Sequence, residues 1–184
     1  MRVVGGALGG RRLEAGMTDA VRPTSDRARE AIFNMLMSLE LLEGATVLDL
    51  FAGSGALGIE ALSRAAAHAT LVDSDSAACR TITTNLTALG ITERATVVRS
   101  DVLRFLDAQR DSVDLAFADP PYPFEGWPDL LDAVNAEVLV CESDRPVEPS
   151  PHGRWQTFRV RRYGTPVVTV LVRPGEADSP AAGD

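Results

Sequence analysis

Residues 45–58, ATVLDLFAGSGALG, decide how the rest of the chain reads. The run from Ala45 to Phe51 is apolar except at Thr46 and Asp49, the pattern of a strand buried on both faces. Gly53, Gly55 and Gly58 follow at the spacing G-x-G-x-x-G, and residues 55–66, GALGIEALSRAA, have helical composition. Strand, glycine loop and helix make the first half of a βαβ unit. Glycines in such a loop let a ligand approach the N–H groups at the helix N-terminus, which suits a pyrophosphate and a carboxylate equally.

Downstream the same rhythm repeats. Strands are expected at 68–73, 95–100, 113–119 and 137–142, separated by helices at 76–89, 102–109 and 126–135. Gly90 closes the second of these helices with its left-handed tolerance. Strands alternating with short helices imply right-handed crossovers and a parallel sheet. The rhythm breaks at 143–153, where Pro146, Pro149 and Pro151 forbid a regular helix. Two further strands, 154–163 and 166–174, have only Gly164 and Thr165 between them, so they form an antiparallel hairpin. Upstream, Ala28, Ile32, Met35, Leu36 and Leu39 repeat at helical spacing after the N-cap candidates Thr24, Ser25 and Asp26. Residues 2–13 read as two short strands around a glycine-rich turn. The resulting organisation is an extension over 1–24, one α/β domain over 25–174 and a disordered tail over 175–184.

Composition narrows the class. A chain of 184 residues, 45% hydrophobic and 24% charged, can bury one real core. The start has no signal-peptide pattern, and no apolar run approaches the roughly 18 residues of a membrane span. Cys79 and Cys141 are far apart and read as core residues, so a cytoplasmic protein without disulfides is expected. His68 and His152 have no partners at metal-ligand spacing, so no metal is expected. The net charge of −8 argues at first against a nucleic-acid partner. The charge is uneven, however. Residues 1–29 hold six arginines (2, 11, 12, 22, 27 and 29) against three acids, and Arg154, Arg159, Arg161 and Arg162 cluster without any acid. Solvated surface and a phosphate-binding face are both open readings of that pattern.

Three carboxylates choose among ligands for the glycine loop. Asp49 sits by the end of the first central strand, where it would repel a pyrophosphate but attract an ammonium group. Asp73 closes the next strand, where an acid can accept from both ribose hydroxyls. Asp101 follows the third, where it would accept from an adenine amine. Each acid alone reads equally as a loop or helix cap. Together they favour S-adenosylmethionine, which carries an α-ammonium, over a nicotinamide dinucleotide, which does not.

The stretch FADPPYPF, residues 117–124, supplies chemistry. Asp119 leaves the fourth strand, and Pro120 and Pro121 end that strand because neither has an N–H to donate. An exocyclic amine on a base is a poor nucleophile, because its lone pair is delocalised into the ring. The Asp119 carboxylate and the Pro120 carbonyl can hold its two N–H bonds and turn the lone pair toward an incoming methyl group. Tyr122 would stack on a base drawn out of its helix, and Phe124 would cover another face or edge. A plain proline-rich strand exit is the alternative.

With these residues in view, DLFAGSGALGIEALSR and ADPPY resemble class I S-adenosylmethionine-dependent amino-methyltransferases. The segments MRVVGGALGGRRL, RPTSDRAREAIFNML and RRYG are similar, more narrowly, to the RsmD family, bacterial methyltransferases acting on guanine N2 of 16S ribosomal RNA. The likeness spans about residues 1–174. It implies a Rossmann-like α/β fold with a seven-stranded, mostly parallel sheet in the order 3-2-1-4-5-7-6 and an N-terminal β-hairpin extension. It implies cofactor contacts at Asp49, Phe51, Gly53, Ser54, Gly55, Asp73, Ser74, Asp101 and Val102, and catalytic roles at Asp119, Pro120, Pro121 and Tyr122. Substrate contacts are expected at Arg11, Arg12, Arg22, Thr24, Phe124 and Arg161. The expected partner is 16S ribosomal RNA within a 30S particle or assembly intermediate, met by a monomer, with no membrane involved.

Other classes compete. A DNA methyltransferase acting on adenine N6 or cytosine N4 would use the same turn, but the chain has no separate recognition module for reading a duplex. A cytosine-C5 enzyme would need a cysteine near Asp119. A nicotinamide-dependent oxidoreductase would leave the Asp-Pro-Pro-Tyr turn without a task. A non-catalytic RNA-binding module would place acids where phosphate must come.

Overall fold

The computed structural model describes residues 1–15 and 26–174. Arg22 and Thr24, and the expected tail, lie outside the described residues. Seven strands form one sheet: β1 (Thr46–Leu50), β2 (His68–Asp73), β3 (Ala95–Arg99), β4 (Val113–Ala118), β5 (Ala136–Ser143), β6 (Gln156–Arg162) and β7 (Val167–Val172). Their order is β3-β2-β1-β4-β5-β7-β6, as the resemblance implied. The β1–β2, β2–β3, β1–β4 and β4–β5 pairs are parallel, and β7 runs antiparallel to both β5 and β6. The helices are α1 (Asp26–Ser38), α2 (Ala56–Ser63), α3 (Ser76–Leu89), α4 (Val102–Ala108) and α5 (Trp127–Ala133).

The strands form where apolar residues run without interruption, because both faces of the sheet are covered. One layer packs α1, α2 and α3 on the sheet through Ile32, Phe33, Leu36, Ile59, Leu62, Ile82 and Leu86, with Phe33 against Phe117 at 5.4 Å between centroids. The opposite layer packs α4 and α5 through Leu106, Leu130 and Leu131, together with Trp155. Trp155 is anchored by its indole N–H, which donates to the Leu131 carbonyl at 2.8 Å. Local signals set the helix ends. Asp75 caps α3 by accepting from Ala77 N–H, and Gly90 ends it with φ +71°.

The β6–β7 turn is longer than the two residues expected from sequence. Four residues, Tyr163 to Pro166, connect the strands, closed by Tyr163 N–H donating to Pro166 O at 2.8 Å. Within β6 the register shifts between Thr157 and Arg159, so Phe158 is an extra, exposed residue in a bulge.

The N-terminal extension is less regular than two strands. Its arms run antiparallel, with Val3 N–H donating to Arg11 O and Leu13 N–H to Met1 O. Among the described residues its formal pairing is limited to the Arg2–Arg12 bridge, and the tip is a 3-10 turn over Gly6–Leu8. Side chains hold this arch where strand pairing does not. Glu60, 1% exposed on α2, accepts from Val4 N–H (2.7 Å), Gly5 N–H (2.8 Å) and Arg64 Nε (2.8 Å). Ser63 Oγ, one turn further on, accepts from Leu8 N–H and donates to Gly5 O.

Candidate active site

The carboxyl ends of β1 to β5 share one edge of the sheet, where ligands of open α/β folds bind. Strand register fixes the order of groups along it. Leu50 pairs with Val72 and with Ala118, and Ala118 pairs with Cys141. Asp73, Phe51 and Asp119 therefore leave the sheet from adjacent positions. Asp73 and Asp119 are two strands apart, about 10 Å at the usual strand spacing. The row continues through Glu142 and Val168 to Arg161, three strands and about 15 Å beyond Asp119.

The glycine loop is held by carboxylates from below and beside. Asp49 was expected at the strand end, facing a ligand. It is the penultimate residue of β1, 2% exposed, and its Oδ2 accepts from Gly58 N–H at 2.8 Å. It thus fixes the first turn of α2. Asp73, half-buried, accepts from Gly53 N–H through Oδ2 (2.8 Å) and from Asp75 N–H through Oδ1 (2.9 Å). Asp101 is exposed and caps α4 by accepting from Arg104 N–H at 3.0 Å. Asp101 is thus the helix cap that its position allowed, whereas α3 is capped by Asp75 and both oxygens of Asp73 accept from backbone N–H groups around the loop.

The glycines answer to packing as well as to a ligand. Gly55 has φ +79°, and a Cβ there would meet Leu71 Cδ2 at 3.0 Å and Ile82 at 3.3 Å. A Cβ on Gly58 would meet Leu71 Cδ2 at 2.9 Å and Asp49 Oδ2 at 3.1 Å. Gly55 lets the loop lie close on β2 and α3, and Gly58 lets α2 lie close on β2 and β1. Phe51 also has positive φ, +61°, a strained conformation for a large side chain at the mouth of the loop. Ser54, Gly55 and Val102 are buried, while Ser74 is exposed.

Residue Asn85 was not singled out from the sequence. It is 2% exposed on α3, and its amide joins two segments of the site. Oδ1 accepts from Glu14 N–H (2.8 Å), and Nδ2 donates to Glu14 O (3.1 Å) and to Ser54 O (3.0 Å). The extension and the glycine loop are thereby tied to one side chain. The only sequence signal was a polar residue within the apolar stripe of an amphipathic helix, as it was for Glu60 and Ser63.

The elbow after β4 is formed as the double proline dictates. Pro120 is buried, Pro121 exposed, and Asp119 and Tyr122 half-buried at the exit. The Tyr122–Pro123 bond is cis. Phe124 packs edge-on against both Phe51 (5.3 Å, 70°) and Trp127 (5.3 Å, 88°), so an aromatic chain links the glycine loop to the elbow and to α5.

The arginines divide. Arg161 and Arg12 are exposed. Arg29 is 1% exposed and binds Arg2 O and Asp26, a structural ion pair rather than a phosphate grip. Arg11 donates to Ala88 O at 2.9 Å, one residue from the end of α3. That end lies toward the amino edge of the sheet, so the structure does not bring Arg11 together with Asp119. Burial pushes the Cys141 thiol pKa up, and burial followed by the charge of Asp73 raises that of Cys79. Neither cysteine has a nucleophile's environment.

A row of carboxylates, a helix N-terminus and a stiff acceptor pair suit a ligand that carries hydroxyls, an ammonium and a carboxylate beside an amine substrate. The family described as conserved hypothetical protein 95 matches residues 1–172. The Escherichia coli K12 ribosomal RNA small subunit methyltransferase D is 34% identical, the match covering 98% of this chain and 94% of that protein. The Bacillus subtilis protein YlbH is 38% identical over 95% of this chain and all of its own. The solved structure of yhhF from Escherichia coli superposes with a TM-score of 0.80 at 35% identity, covering 96% of this chain and 99% of that one.

Proposed function

The chain belongs to the conserved hypothetical protein 95 family, the RsmD family, and on that premise we propose that it methylates the exocyclic N2 of a guanine in 16S ribosomal RNA. The observation that carries this reading is the exit of Asp119 and Pro120 beside the glycine loop, two strands from Asp73. S-adenosylmethionine, when bound, supplies an activated methyl group. The residues fit it. The half-buried Asp73 takes the ribose hydroxyls and exposed Asp101 the adenine amine, with Phe51, Gly53, Ser54, Gly55, Ser74 and Val102 shaping the pocket between them. Asp49 acts from beneath the loop.

The protein's own part in the reaction is positioning. The Asp119 carboxylate and the Pro120 carbonyl accept the two N–H bonds of the amine, which turns its lone pair out of conjugation and toward the cofactor side. Asp119 need not be a strong base, since an alkylated aryl ammonium loses its proton readily. Tyr122 stacks on the extruded base, and Phe124, fixed between two aromatic neighbours, keeps the elbow stiff. Arg161 and Arg12 reach RNA phosphates, and a partly assembled small subunit in the cytoplasm supplies the recognition that a small monomeric domain lacks. The test is labelled S-adenosylmethionine with 30S particles, naked 16S RNA and duplex DNA. Incorporation into the RNA of particles is expected; incorporation into DNA alone would overturn the reading.

A further inference from the structure

A cleft of about 350 Å³ opens beside the elbow, lined by Trp127, Ser143, Arg145, Pro146, Val147 and Glu148. Its position follows from register. Ser143 ends β5, two residues beyond Cys141, which pairs with Ala118. The cleft therefore faces the same edge of the sheet as Asp119, one strand over. Of its residues, Trp127 alone bears on the methyl transfer described above, through its packing on Phe124.

The walls are firm and chemically mixed. Trp127 is held edge-on by Phe124, the ring that also touches Phe51, so the cleft and the glycine loop share one aromatic chain. The far wall is pinned at Val147, 4% exposed, whose N–H donates to Thr169 Oγ1 at 3.1 Å. Ser143 is buried, and its hydroxyl donates to Asp144 Oδ1 at 3.3 Å, so its oxygen is left as an acceptor. Arg145 and Glu148 are exposed at the mouth.

An indole, a guanidinium and a carboxylate around a space at the small end of ligand pockets match one nucleotide. A base stacks on Trp127, its N–H groups find Glu148 and Ser143 Oγ, and its phosphate finds Arg145. A pyrophosphate would be repelled by Glu148. Resting on the RNA methyltransferase reading above, we propose that this cleft receives a base adjacent to the target nucleotide, so that the elbow and the cleft together grip two neighbouring bases of single-stranded RNA.

The test is a cycle of protein and RNA variants. Once the methylated nucleotide is mapped, substrate RNAs carry an abasic site on one side or the other of it. At one of these positions the wild type should lose about ten-fold in kcat/KM, the scale of one base-stacking contact. Trp127→Ala should lose a similar factor on intact RNA and nothing further on that abasic RNA, with unchanged affinity for S-adenosylhomocysteine. Trp127→Phe should recover most of the loss. Arg145→Ala, an exposed site with little bearing on folding, should weaken RNA binding and lower its salt slope by about one. A Trp127→Ala protein that binds S-adenosylhomocysteine normally and shows the full abasic penalty overturns the cleft proposal, as does an Arg145→Ala protein with wild-type RNA binding and salt slope. A wild type that methylates no RNA overturns the function instead, which keeps the two failures distinct.

Discussion

Replacing Asn85 with alanine tests whether the N-terminal extension and the glycine loop act as one unit. The side chain is 2% exposed and makes three hydrogen bonds, two to the backbone of Glu14 and one to Ser54 O. A buried hydrogen bond contributes about 1 kcal/mol net, and more when its partner is left without a replacement, so the substitution should cost about 3 kcal/mol. For a domain of this size that is about 6–12 °C in Tm. The loss should be felt at the ligand site too, because Ser54 lies between Gly53 and Gly55. Affinity for S-adenosylhomocysteine, measured by calorimetry below the transition, should fall about ten-fold. Asn85→Asp adds a signature of its own. It keeps the acceptor for Glu14 N–H but aims a second oxygen at two carbonyls. Burial and those carbonyls raise the new carboxyl's pKa above its unfolded value, so the protonated form is favoured in the fold. The penalty should be small below the unfolded pKa, near about 4, and grow as pH rises through the folded one. A Tm within about 2 °C of wild type for Asn85→Ala, with unchanged ligand affinity, would refute the coupling.

Other substitutions test separate parts of the structure. Glu60→Ala removes a buried carboxylate from two backbone N–H groups and from Arg64, itself nearly buried, and should cost about 3–5 kcal/mol by denaturant unfolding. Asp114 accepts from Thr46 N–H and then from Thr46 Oγ1, which lower its pKa, so its stabilising effect is present above the unfolded pKa and lost as pH falls through the folded one. Asp114→Asn should therefore shrink the Tm difference between pH 6 and pH 3; an unchanged difference would contradict this role. Burial raises both thiol pKa values, so alkylation by iodoacetamide at pH 7.5 should be slow at Cys79 and negligible at Cys141 in the folded protein, and fast at both sites after unfolding.

Much of this architecture was legible in the residues. The extents of β2 and α3 were readable because Asp73, Asp75 and Gly90 punctuate them chemically. The elbow after β4 was readable because two prolines leave the chain no other course. What escaped was long-range. Asp49 was read near the strand end, where it lies, but not its burial or its bond to Gly58 N–H, because sequence does not show how closely α2 packs over it. The extension was read as paired strands, yet much of its hold comes from Glu60, Ser63 and Asn85, 55 to 71 positions away. The arginines looked alike as a string of charges. Only tertiary packing separates buried Arg29 and helix-bound Arg11 from exposed Arg161.

The central claim is that the elbow orients an amine rather than binding the cofactor. It is tested most directly by Asp119→Ala, with methyl transfer to small-subunit RNA and S-adenosylhomocysteine affinity measured on the same protein, and the methylated nucleotide read by mass spectrometry. Transfer should fall at least about 100-fold, the scale of losing one pre-placed polar partner, with ligand affinity within about two-fold of wild type. Full transfer by the variant, or loss of transfer that merely follows loss of ligand affinity, would contradict the account.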